Sequence, residues 1–147
     1  MGQRNTENGL DRSAMHLLHR AGQFANDVFL LEASACHLTP RQFTVLATVG
    51  EAEGLTQTDL VERTGIDRST LADIVARLLS RGLIRRRRAK QDGRAYEIRL
   101  TRAGVKTLSE AQPRAMAADM RLLSKLPPAK RQDFLESLNL IIEGQKD

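Results

Sequence analysis

The sequence predicts a mainly α fold with a small β-hairpin wing, on three observations. Apolar residues recur at helical spacing through most of the chain. Thr64-Gly65-Ile66 joins two short helical stretches, with the length and break of a helix–turn–helix. Directly after them, Leu83-Ile84 with four arginines and Tyr96-Glu97-Ile98-Arg99-Leu100 flank an Asp92-Gly93 turn signal. The expected architecture is a winged helix–turn–helix core over about 38–101, with further helices over about 12–35 and 102–144.

Taken in order, residues 1–10 are expected to form a disordered tail ahead of a single domain over 11–147. From about 12 to 35, Leu17, Leu18, Ala21, Phe24, Ala25, Val28 and Leu31 repeat at the spacing of one helix face. Thr39-Pro40-Arg41-Gln42 combines an N-cap, a proline at the first helical position and the glutamine of a capping box. The helix it starts should run to about Val49 and stop in the polar stretch 51–54. Thr56 opens a third helix that ends at Gly65, and Asp67 caps a fourth over 67–81 whose Leu71, Ile74, Val75, Leu78 and Leu79 face inward. The hairpin occupies 83–100, and Thr101 caps a long helix in which Pro113 predicts a kink or break. Pro127-Pro128 interrupts the chain before a last helix with Phe134, Leu135, Leu138, Ile141 and Ile142 on one face. Amphipathic helices at both ends exceed what the winged core needs. We read them as dimerisation helices of a homodimer.

Charge is unevenly placed. Residues 63–102 hold 12 Lys and Arg against 4 Asp and Glu, while the rest of the chain holds 11 against 14. A local excess of +8 is the electrostatic footprint of a polyanion partner. With no Trp and one Tyr, the chain lacks the aromatic platforms that stack single-stranded bases, so duplex DNA is the expected partner. No apolar run reaches the roughly 18 residues that span a bilayer, and none near the N-terminus reads as a signal peptide. The single cysteine, Cys36, permits no intrachain disulfide and fits a reducing cytoplasm.

Gly82-Leu83-Ile84, the arginine arm, Asp92-Gly93-Arg94 and Leu100-Thr101 followed by Gly104 together resemble the MarR family of bacterial transcriptional regulators. Leu38-Thr39-Pro40-Arg41-Gln42-Phe43 is similar to that family's second helix, so the resemblance covers about 38–104. Two positions depart: Arg88 stands where the family commonly has proline, and Gly93 where it commonly has arginine. The resemblance implies that the fourth helix enters the major groove, its first turn (Arg68, Ser69, Thr70) meeting base edges and phosphates. Asp73, one turn on, can accept from a cytosine amino group, and Arg77 follows on the same face. The plainer alternative makes Ser69 and Thr70 helix caps and Asp73–Arg77 an i,i+4 ion pair. In the wing, the family counterpart of Arg94 enters the minor groove, with Asp92 orienting it. Strand alternation sends Arg85 and Arg87 to one face and Arg86 and Arg88 to the other, and we assign the latter pair to the duplex. A dimer so built would read a near-palindrome in successive major grooves.

The resemblance also implies release from DNA by a small effector, often an aromatic acid, its thioester or a related anion, bound between the terminal helices and the winged core. His16, His19, Arg20, Gln23 and Phe24 share one strip of the first helix and are the candidates to line that site; the plainer reading is solvated surface or interface. Some relatives sense peroxide through a cysteine near the start of helix one. Cys36 is at the other end and the only tyrosine is in the wing, so a plain buried thiol is the simpler reading beside a redox alternative. Adjacent Cys36-His37 does not suit a tetrahedral metal site, and neither metal nor cofactor is expected. The chain has no Ser-His-Asp order, glycine-rich phosphate loop or carboxylate pair in a plausible cleft, which argues against an enzyme. A winged module for protein–protein assembly would not require the concentrated positive charge. The expected function is a ligand-responsive regulator, a repressor, of duplex operator DNA.

Overall fold

A computed structural model describes residues 9–90, 93 and 95–146. Residues 1–8 of the expected tail, together with Asp92 and Arg94, lie outside the described residues. Helices dominate: α1 (Ala14–Ala33), α2 (Pro40–Glu51), α3 (Gln57–Thr64), α4 (Arg68–Ser80), α5 (Arg102–Leu123) and α6 (Pro128–Glu143). Three short strands, β1 (Leu55–Thr56), β2 (Ile84–Arg88) and β3 (Tyr96–Leu100), form one antiparallel sheet in the order β1-β3-β2. Two compact units result, one spanning Phe29–Ala115 and one made of the terminal stretches up to Val28 and from Met116.

In the first unit, α2, α3 and α4 pack with the sheet around a core that includes Val45, Leu46, Leu60, Leu71, Val75, Leu78 and Ile98. These seven are the largest fully buried side chains, and each sits at the inward position its helix or strand period assigns. Local chemistry fixes the helix ends. Thr39 and Gln42 bond reciprocally to each other's amides (both 3.1 Å), the predicted capping box behind Pro40. α4 ends in a Schellman arrangement: the Leu83 amide donates to the Leu78 carbonyl and the Gly82 amide to Leu79 (both 3.0 Å). Gly82 supplies the left-handed φ of +70° this turn needs.

Thr101 then ties the wing to α5. Its hydroxyl donates to the Gly82 carbonyl (2.6 Å) and accepts from the Gly104 amide (3.0 Å), while its own amide donates to the Leu83 carbonyl (3.1 Å). Gly104 lies so close under Leu83 that a Cβ there would overlap its carbonyl oxygen. The Gly-Leu-Ile and Leu-Thr-x-x-Gly motifs are thus two halves of one junction.

Two details go beyond the expected plan. Of the kink or break expected at Pro113, the break does not occur: α5 runs on through it. The proline ring is exposed, whereas Leu108, Ala111 and Ala115 on the buried face hold the helix in register, and Ser109, whose carbonyl loses its donor, is open to solvent. The wing has a third strand: Leu55 and Thr56 pair with Ile98 and Glu97. In the second unit, Met15, Leu18, Met120, Leu140, Ile141 and Ile142 are exposed, and no residue of α6 is buried.

Candidate nucleic-acid interface

α3 and α4 are set by caps on both sides of a tight turn. Thr56 and Asp59 form a second capping box (2.8 and 3.2 Å). Gly65 closes α3 in the left-handed region (φ +71°), its amide on the Val61 carbonyl at 2.9 Å. The Thr64 hydroxyl donates to the Leu60 carbonyl (2.6 Å) and accepts from the Ile66 amide (3.2 Å). Asp67 then accepts from the Thr70 amide (3.0 Å) and starts α4. The Thr70 side chain first, and then its amide, hold the Asp67 carboxyl below the usual aspartate value, with a smaller contribution from the charge of Arg41.

With Leu71, Ile74, Val75 and Leu78 buried, the opposite face of α4 is turned outward: Arg68, Ser69, Ala72, Asp73, Ala76 and Arg77 are exposed. Ser69 is exposed, whereas the Thr70 amide serves the cap and that residue is half-buried. Arg77 Nε donates to Asp73 Oδ2 at 3.1 Å, so the i,i+4 pair forms. Both partners are about two-thirds exposed, and the pair adds little to stability there. Gln57 and Thr58, which sequence reasoning passed over, line a groove with Val61, Arg68, Ser69 and Ala72. The signal was present in the Thr56 capping box, which puts both residues on the first turn of α3.

The wing follows the predicted alternation. Arg86 pairs with Ile98 and Arg88 with Tyr96, while Arg85 pairs with Arg99 and Arg87 with Glu97. All four arginines of β2 are exposed. Arg99 is held by Glu97 (3.1 Å) and Glu53 (3.5 Å), which offset charge on that face. The Arg88 guanidinium lies 5.9 Å from the centre of the Tyr96 ring. The hairpin residues Asp92 and Arg94 lie outside the described residues, so their expected roles rest on sequence.

Elsewhere, His19, Arg20, Gln23 and Phe24 are exposed on α1 and His16 is half-buried. Cys36 is buried at the end of a short 3-10 turn. His37 follows in the left-handed region (φ 52°), where Arg81, at the C-cap of α4, donates to its carbonyl at 2.6 Å and to that of Cys36 at 3.5 Å. Sequence reasoning missed this tie because Arg81 reads as one more basic residue near the wing. Among the described residues no cluster of His, Cys, Asp or Glu could hold a metal, and no helix is long and apolar enough to cross a membrane.

Chemically, an outward helix face with donors at its capped end lies beside an arginine-bearing strand, the arrangement that reads base edges and grips phosphates. Known proteins share the fold. A profile described as the MarR family matches residues 38–95. Transcriptional regulator HosA of Escherichia coli O127:H6 is 31% identical over 99 residues, covering 67% of this chain and 73% of that protein. The transcriptional repressor CouR, solved bound to a 23-mer DNA duplex, superposes with a TM-score of 0.85 at 28% identity, covering 96% of this chain and 99% of that one. Bordetella bronchiseptica BpsR, whose structure concerns regulation of DNA binding by 6-hydroxynicotinic acid, gives a TM-score of 0.84 at 26% identity, with 96% and 97% covered.

Proposed function

The chain belongs to the MarR family of winged helix–turn–helix, DNA-binding transcriptional regulators, and from that premise we propose that it is a dimeric repressor released from a near-palindromic operator by an aromatic acid. The observation that carries the reading is the outward face of α4. Arg68 and Ser69 stand at its capped N-terminus, its opposite face is locked in the core, and the basic strand β2 follows directly. In this reading α4 lies in the major groove with Arg68, Ser69, Thr70, Asp73 and Arg77 toward the duplex. Arg86 and Arg88 neutralise phosphates, and Arg94, oriented by Asp92, enters the minor groove.

The apolar side chains exposed on α1, α5 and α6 support a second copy as partner, since a large apolar patch on a lone chain marks an association surface. Two recognition helices about 34 Å apart would then meet successive major grooves. Residues 11–147 act as one functional domain, working in the cytoplasm. An aromatic acid is the effector class favoured by likeness to BpsR, with His16, His19, Arg20, Gln23 and Phe24 as the residues to meet it.

The test is equilibrium binding to duplex DNA flanking the protein's own gene, and to genomic fragments selected by the protein, over a salt series. The native protein should prefer specific fragments, with affinity falling steeply as salt rises. Arg94→Ala should weaken specific binding by about 1–3 kcal/mol, and 6-hydroxynicotinic acid or a related acid should release the DNA. Failure to prefer any fragment over random sequence would overturn the DNA reading. Unchanged binding in Arg94→Ala would remove the wing contact.

A further inference from the structure

Of the four consecutive arginines on β2, one has an aromatic partner. Arg88 and Tyr96 are directly opposite, in the last cross-strand pair of the β2–β3 ladder. The guanidinium carbon lies 5.9 Å from the ring centre, within reach of the ring's negative face. Pairing and strand alternation put both side chains on the sheet face that carries Ile84 and Ile98.

That face changes character along the strand. Ile98 is 1% exposed, whereas Tyr96, two residues earlier, is 48% exposed. The ring therefore adds little to the core, and among the described residues its hydroxyl makes no hydrogen bond. The group placed over the ring is the Arg88 guanidinium. An arginine has many rotamers to lose when it grips a phosphate, and a ring beneath the guanidinium removes part of that loss in advance. A cation–π contact leaves the outer edge of the guanidinium, with its N–H donors, free for an anion.

We infer that Tyr96 is a positioning residue for DNA binding, holding the Arg88 guanidinium so that its outer edge meets a backbone phosphate beside the wing. The inference rests on the DNA-binding reading above and extends it to a residue that does not itself touch the duplex.

The test is a double-mutant cycle on a duplex selected by the native protein, using Arg88→Gln, Tyr96→Leu, their combination, and Tyr96→Phe. Thermal melts of each variant accompany the binding curves. Arg88→Gln should lower the slope of log affinity against log salt by about 0.9, the loss of one phosphate contact. Tyr96→Leu should weaken binding roughly two- to fivefold, the strength of an exposed cation–π contact. Tyr96→Phe should bind like the native protein, because the ring suffices. Added to Arg88→Gln, Tyr96→Leu should cost nothing further. Native-like binding by Tyr96→Leu overturns the inference. So does an equal loss in Tyr96→Phe, which would assign the effect to the hydroxyl, or an unchanged loss in the Arg88→Gln background. If the native protein selects no duplex at all, the DNA reading itself falls.

Discussion

Gly104→Ala tests the junction that joins the wing to α5. Gly104 is buried in the first turn of that helix, where propensity alone favours alanine by about 1 kcal/mol. The tertiary structure opposes it. The new methyl would overlap the Leu83 carbonyl oxygen, stand 3.0 Å from its carbon, and lie 3.4 Å from a Leu100 methyl. Two of these three neighbours are backbone, so strand and helix must separate rather than a side chain rotate. Separation by about 1 Å strains two bonds of Thr101, to the Gly82 carbonyl (2.6 Å) and the Leu83 carbonyl (3.1 Å). At roughly 1 kcal/mol each these account for about 2 kcal/mol, and forced overpacking adds about 1 kcal/mol or more. After the propensity gain the net loss is about 2 kcal/mol, or roughly 6 °C in melting temperature for a chain of this length. Thermal melts followed by circular dichroism, at one fixed protein concentration because a dimer's melting depends on it, measure the change. Ala103→Gly, at the exposed neighbouring position, calibrates the propensity effect at about 1 kcal/mol of loss. A Gly104→Ala protein that melts at or above the native temperature would falsify the close approach, since propensity would then have acted unopposed.

Two further predictions concern α4. The Asp67 carboxyl is held below its usual pKa in the folded state, so its cap stabilises fully above the unfolded value and fades as pH falls through the folded one. Native stability should therefore decline below about pH 4 by more than that of Asp67→Asn, which caps without titrating; parallel pH profiles of melting temperature would count against the cap as the cause. Arg81→Met keeps the aliphatic stem but removes the bonds to the His37 and Cys36 carbonyls, and should cost about 1 kcal/mol. An unchanged denaturant midpoint would show that water serves those carbonyls equally well.

Whatever depends on neighbours along the chain was legible in the sequence. Thr39 with Gln42, Gly65, Asp67 and Gly82 set helix ends through bonds spanning a few residues, and the apolar period of α4 told which face is buried before any fold was known. The outward placement of Arg68, Ser69, Asp73 and Arg77 followed, because a helix with one face buried has only one face left. Pro113 does not break α5, because proline's local penalty is outweighed by the buried face of the helix, a balance visible only with Leu108, Ala111 and Ala115 in place. Tertiary structure alone decided the pairings between distant residues. Leu55 meets Ile98, Arg81 reaches the His37 carbonyl, Gly104 slides under Leu83, and Arg88 rather than another of four identical arginines comes to rest on Tyr96. Each depends on register and close approach between segments the chain brings together only on folding. Composition and period carry no record of such distances.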